Sequence, residues 1–196
     1  MVVMFLAAAK NRAFYYGEQK WAEAGVAIHV AFAGLFRMGE LTSNNPDPFD
    51  PAEDLCERHL LFHPTFWTAT HVTIQLGGTK ADQPGERDRA RPRMLPIDEP
   101  ANSPGKNLRD MIARRHRLRE GQEPTLSSAP VFQDGKGGHL TRDGVLAFIR
   151  STLQRHGVAQ ELREKFGTHS ARIGGATRLF QLGATGEEMQ HPGGWA

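Results

Sequence analysis

The chain has 196 residues, 39% of them hydrophobic and 23% charged, a composition that suits one globular domain with a substantial core. Its single cysteine, Cys56, excludes an intrachain disulfide and favours a reducing, intracellular setting. The apolar opening, residues 1–9, is too short to cross a bilayer, and no later stretch reaches that length, so we expect no membrane partner.

The basic residues are unevenly distributed along a chain whose formal net charge is only +2. One cluster occupies residues 106–119, where Asp110 is the only acid, and another occupies residues 87–93, where Asp88 is the only acid. Such clusters are most often solvated surfaces. They also fit a polyanionic partner that is bound less tightly as salt rises.

We interpret residues 1–17 as a residual N-terminal segment and residues 18–196 as the domain.

The first part of the domain predicts one long helix. From Glu18 to Leu35, apolar residues recur at three- and four-residue steps, which predicts a helix with one apolar face. That helix would deliver Arg37 and Glu40 at its end, at a spacing typical of an ion pair or a cap.

Extended segments follow a loop over residues 43–51 that is rich in turn formers. Residues 60–62, 71–76 and 93–97 predict three strands. Residues 77–85 predict a hairpin turn between the last two, and this turn carries Lys80, a position where a lysine is usually only solvated.

Cys56, His59, His63 and His71 raise the question of a zinc site, because Cys-x2-His-x3-His spacing can bind metal. The apolar residues 60–62 between two of the histidines predict a buried strand, on which side chains three or four apart need not converge. We therefore expect no metal. A small zinc-binding interaction protein remains an alternative that stoichiometric zinc would support.

The second half of the chain predicts a helix over residues 107–119 with its arginines outward, then a loop over residues 125–139 anchored by Val131 and Phe132. Thr141 is predicted to cap the helix that follows. Further helices are predicted over residues 168–182 and from Gly186, the latter broken by Pro192.

The segment Gly167–Thr177 contains His169 and Arg172, which share a face if the segment is helical. An imidazole beside a guanidinium can bind a phosphate. Gly174 and Gly175 permit a close approach by a neighbouring group. On its own, the pattern is more typical of a helix N-terminus with two solvated polar residues.

Four motifs in this order resemble the catalytic set of the tyrosine recombinases, the phage integrases and their relatives, and the last block is closest to Cre-like enzymes of eukaryotic mobile elements. The motifs are Arg37, Lys80, His169-x-x-Arg172 and Gly194-Trp195. The match runs from about Trp21 to Trp195. The resemblance implies a mixed α/β, mainly α-helical fold, the tyrosine-recombinase catalytic-domain fold, with a small three-stranded antiparallel sheet.

The resemblance also implies site-specific DNA recombination and integration by strand cleavage and rejoining through a 3′-phosphotyrosine, with no metal and no cofactor. It assigns phosphate contacts to Arg37 and Arg172, an indole N–H contact to Trp195, general-acid catalysis to Lys80, assistance at the nucleophile to His169 and a supporting role to Glu40.

The implied partner is double-stranded DNA, in the nucleus of a eukaryote or the cytoplasm of a prokaryote. The candidate DNA-binding residues of the first basic cluster are Arg114, Arg115, Arg117 and Arg119. Full-length relatives assemble as tetramers on DNA through a C-terminal segment. We expect this chain, which lacks that segment, to be monomeric in solution.

The chain departs from the family pattern at the nucleophile. A tyrosine should follow Trp195, but the only tyrosines, Tyr15 and Tyr16, precede the first motif. We therefore expect a C-terminally truncated domain that does not cleave DNA as it stands. The alternative is a catalytically inactive DNA-binding remnant of a mobile-element recombinase. Type IB topoisomerases share the chemistry, but the Cre-like residues 170–195 favour the recombinases.

Overall fold

A computed structural model describes residue 5 and residues 21–43, 48–76, 92–97 and 103–193, with backbone alone for residues 190–193. Within these residues the fold is mixed α/β and mainly helical, with one three-stranded antiparallel sheet, as predicted. The helices are α1 Ala24–Ala33, α2 Met38–Leu41, α3 Pro104–Arg115, α4 Arg142–Arg155, α5 Gln160–Glu164, α6 Ser170–Gln181 and α7 Gly186–Gly193. The strands are β1 Leu60–His63, β2 His71–Ile74 and β3 Arg93–Pro96.

Helix α1 is the centre of the fold. From Ala24 to Ala31 every residue except His29 is buried, and the helix contacts α2, α3, α4 and α6. A helix that is apolar all round belongs in an interior. The prediction of a single apolar face is therefore wrong, because partners cover α1 on several sides.

The chain turns sharply after α1, so Arg37 and Glu40 do not lie at the end of the long helix as predicted. Leu35 has a φ of 54°, and Arg37 is extended and precedes the separate short helix α2. A left-handed residue with a side chain costs about 1–2 kcal/mol. Burial of the Leu35 and Phe36 side chains offsets that cost, since each contributes roughly 1.5–3 kcal/mol.

The sheet confirms the three predicted strands, each with slightly different bounds. Strand β2 lies in the middle, and its Ile74 pairs with Leu60 of β1 and with Arg93 of β3. The alternating residues Val72 and Ile74 face the core. The predicted hairpin turn 77–85 lies outside the described residues.

Helix α3 begins earlier than predicted because Ser103 caps it and Pro104 occupies its first turn. The Ser103 Oγ accepts a hydrogen bond from the Lys106 N–H. Helix α4 begins as predicted, since the Thr141 Oγ accepts a hydrogen bond from the Gly144 N–H at 3.0 Å. The predicted anchor of the preceding loop is also confirmed, because Val131 and Phe132 are buried.

Arg115 at the end of α3 points into the protein, so the prediction that every arginine of this helix faces outward is wrong. Its Nη1 donates to the buried Glu57 carboxylate at 2.8 Å, and its Nη2 donates to Glu23 and to the Val131 carbonyl. His116 and Ser127 also contact Glu57. Arg115 therefore ties α1, α3 and the loop before α4 together.

Among the described residues, no helix combines the length and the apolar character that crossing a bilayer requires.

Candidate arginine site

Arg37 and Glu40 meet at the start of α2. The Arg37 backbone N–H donates to the Glu40 Oε2 at 2.7 Å, and the Arg37 Nη1 lies 3.6 Å from Oε1. The Glu40 side chain is only 7% exposed, whereas the Arg37 side chain is 44% exposed. Glu40 therefore fixes the backbone of Arg37 and leaves its guanidinium accessible to a ligand.

Arg172 reaches the same region from α6. The residue is 4% exposed, and α6 packs directly on α1. A Cβ on Gly175 would overlap the Phe32 carbonyl oxygen of α1, so only glycine allows this packing distance. The close approach expected at the glycine pair is thus made by the backbone of α1.

Electrostatic interactions place Arg172 in one group with Arg37, Glu40 and Arg93. Burial lowers the pKa of Arg172, the positive charges of Arg37 and Arg93 lower it further, and the Glu40 carboxylate raises it. An arginine still keeps its proton in these surroundings. Burial is thus the main cause of the lowered pKa and the neighbouring arginines add to it, so a bound anion would favour the charged guanidinium.

The sequence interpretation missed Arg93, the first residue of β3. Its Nη1 lies 3.3 Å from the Glu40 Oε2 and donates to the Gly34 carbonyl at 3.2 Å, and its guanidinium lies 4.3 Å from the Phe36 ring centroid. Burial lowers its pKa, against the opposing effect of Glu40. Strand alternation could have identified it, because Arg93 and the buried Leu95 are two residues apart and share a face.

His169 is the residue immediately before α6 and is exposed. Its φ of −86° and ψ of −14° are close to helical, so it lies one turn before Arg172, as the spacing predicts. The two side chains nevertheless differ in environment, one solvated and the other buried. Lys80 and Trp195 lie outside the described residues, so their predicted contacts stay predictions.

The arginines at the end of α3 and just after it divide into two kinds of residue. Arg114, Arg117 and Arg119 are exposed and can reach a polyanion, whereas Arg115 is held by Glu57 and Glu23. The three exposed arginines therefore remain candidates for DNA contact, whereas Arg115 stabilises the interior through its ion pairs.

The residues of the zinc interpretation are engaged elsewhere. The buried Cys56 thiol donates to the backbone carbonyls of Pro51 and Asp54, and the His59 Nδ1 accepts the Cys56 N–H. The rings of His63 and His71 stack with centroids 4.8 Å apart. In the part of the chain that the structure describes, no three His, Cys, Asp or Glu side chains form a group that could hold a metal ion.

Comparison with known proteins finds no family model that matches the chain and no curated protein similar to it. The arginine site consists of Arg37, Glu40, Arg93 and Arg172. Three guanidiniums and one carboxylate leave a net charge of +2. Guanidiniums on a rigid helix and sheet framework suit a planar or tetrahedral oxyanion such as a phosphate.

Proposed function

We propose that this chain is the catalytic domain of a tyrosine-recombinase-type protein and that its arginine site binds a backbone phosphate of double-stranded DNA. The observation that carries the proposal is the convergence of Arg37 and Arg172. The two residues are distant in the sequence and interact electrostatically with each other, and Arg172 also interacts with Glu40. They belong to two of the four motifs that resemble the catalytic set of the tyrosine recombinases.

The charge of the site suits phosphoryl transfer. A phosphodiester carries one negative charge, and its pentacoordinate transition state approaches two. Guanidiniums that are already in place when this charge develops stabilise it by a few kcal/mol each, on the order of the effect of one oxyanion donor. Arg37 and Arg172 are the direct contacts in this proposal, because each can offer a two-pronged donor set.

The remaining roles follow the family pattern. A tyrosine hydroxyl attacks phosphorus, the phosphotyrosine bond forms, and the bond to the 5′ oxygen breaks. Lys80 gives its proton to that oxygen, and His169 assists at the nucleophile by accepting the tyrosine proton. Trp195 donates an N–H to a non-bridging oxygen. Rejoining reverses these steps, with a DNA 5′ hydroxyl as the attacking group, so no cofactor is consumed.

A second candidate function is DNA binding without cleavage. The chain contains only Tyr15 and Tyr16, and both come before Arg37 in the sequence. In this alternative, Arg37 and Arg172 bind a phosphate and no strand is broken. The exposed arginines of the first basic cluster add contacts to the DNA backbone. Because backbone contacts position a protein without reading sequence, weak base preference is expected.

A suicide DNA substrate, nicked so that cleavage traps covalent protein, separates the two functions. It should be incubated with this chain and, where the gene continues, with a version that carries the following codons. An adduct confined to the extended version, and lost in its Arg37→Ala variant, supports the recombinase. Stable, salt-sensitive binding by both versions without an adduct supports the binding function, and the absence of both binding and adduct refutes the proposal.

A further inference from the structure

Without Arg93, the net charge of the arginine site would be only +1. Arg37 and Arg172 carry two positive charges, but the Glu40 carboxylate lies beside them and would cancel one. A carboxylate that is 7% exposed is poorly screened by water, so its effect on a nearby phosphate is large. A compensating cation is needed for the site to keep its attraction for a dianionic transition state.

Arg93 is placed to supply that compensation. It contacts the Glu40 Oε2 at 3.3 Å, and its other contacts, the Gly34 carbonyl and the Phe36 ring, come from the turn that precedes α2. These contacts hold the guanidinium on the Glu40 side of the site. Arg93 also pairs with Ile74 across the sheet, and so it closes the hairpin whose connecting segment contains Lys80.

We propose that Arg93 is a positioning residue of the arginine site: it neutralises and orients Glu40, so that Arg37 and Arg172 keep their full charge toward a bound phosphate. This inference rests on the proposed function. Arg93 acts through Glu40 and not on the ligand itself, because its Nη1 is shared between Glu40 and the Gly34 carbonyl and its guanidinium lies over the Phe36 ring.

The first test removes the charge and keeps the bulk. Arg93→Met retains an unbranched apolar side chain over Phe36 but leaves Arg37 and Arg172 as the cations that offset Glu40. One unit of charge at roughly 10 Å in a partly buried site corresponds to about a tenfold loss of affinity for DNA. Binding is measured by anisotropy of a fluorescein-labelled random-sequence duplex at low salt, at a temperature where circular dichroism shows each variant folded.

The second test restores the net charge of the site by removing the negative charge of Glu40. Glu40→Gln removes the negative charge, and its amide oxygen can still accept the Arg37 N–H. The double variant Arg93→Met with Glu40→Gln should therefore recover affinity to within about threefold of the wild type, because the net charge is again +2. A residue with a purely structural role would not show this rescue in DNA affinity among folded variants.

The controls separate this inference from the proposed function. Arg150→Met changes an exposed arginine of α4 and should leave affinity unchanged. Arg37→Ala should weaken binding, and if it does not, the proposed function fails and this inference fails with it. If Arg37→Ala weakens binding but Arg93→Met does not, or if the Arg93→Met loss is not rescued by Glu40→Gln, the positioning role alone is refuted.

Discussion

Replacing Gly175 with alanine should separate α6 from α1, whereas the same change at Gly174 should be tolerated. The two glycines are neighbours on one helix, so the substitutions are matched in composition and in helix propensity. They differ in what the new Cβ meets. At Gly174 it meets the edge of the Phe32 ring at 3.3 Å, and at Gly175 it overlaps the Phe32 carbonyl oxygen and comes within 2.8 Å of Leu35.

The expected magnitudes follow from these contacts. Alanine in place of glycine inside a helix gains about 0.8–1 kcal/mol. At Gly174 most of this gain should survive, because the edge of a ring can shift by a few tenths of an ångström. At Gly175 the obstacle is backbone, and overpacking typically costs about 1–3 kcal/mol or more, which exceeds the gain. We expect Gly175→Ala to unfold on the order of 5 °C or more below Gly174→Ala.

Thermal and urea unfolding followed by circular dichroism measure this difference, and DNA anisotropy measures its functional consequence. Arg172 lies on the same helix, so displacement of α6 should also weaken DNA binding by Gly175→Ala and leave binding by Gly174→Ala unchanged. Equal melting temperatures for the two variants would refute the packing of α6 on α1, and with it the placement of Arg172.

Three further substitutions test other parts of the fold. Thr141→Ala should lower the free energy of unfolding by about 1 kcal/mol in urea titration, because α4 loses its cap, whereas Thr141→Ser should change it little. Arg115→Met should cost about 3–5 kcal/mol by leaving the buried Glu57 without its main cation, whereas Arg114→Met on the exposed face should cost almost nothing. Burial lowers the pKa of His29 from 6.5 to about 4, so between these pH values the unfolded chain binds the extra proton and stability falls as pH falls. His29→Gln should weaken that pH dependence in urea titrations at pH 4.5 and 7, and parallel curves for the two proteins would contradict the assignment.

The sequence predicted the features that depend on neighbouring residues, such as a helix cap, the alternation of a strand and an ion pair between residues three apart. The cap at Thr141 follows from the residue itself, and the strands follow from alternation at Val72 and Ile74. The Arg37–Glu40 pair follows from spacing alone. These interactions form between residues close in sequence, so their partners can be identified without knowing the fold.

Interactions between distant segments were missed for the opposite reason. The turn at Leu35 depends on burial of the side chains around it, which the helical periodicity before it does not report. Arg115 points inward because Glu57 and Glu23 lie there, and both are far from it in sequence. Arg93 of β3 pairs with Glu40 of α2, although β1 and β2 lie between them in the sequence, and the basic cluster 87–93 gave no indication of such a partner.

The most direct test of a phosphate-binding arginine site is the salt dependence of duplex DNA binding. Log K should fall linearly with log salt for the wild type, and Arg37→Ala and Arg172→Ala, checked for folding, should each lower the slope by about one, as expected for one lost phosphate contact. Arg150→Ala should leave the slope unchanged. A wild-type protein that does not bind DNA, or slopes for Arg37→Ala and Arg150→Ala that coincide, would contradict the assignment of this site to DNA phosphate.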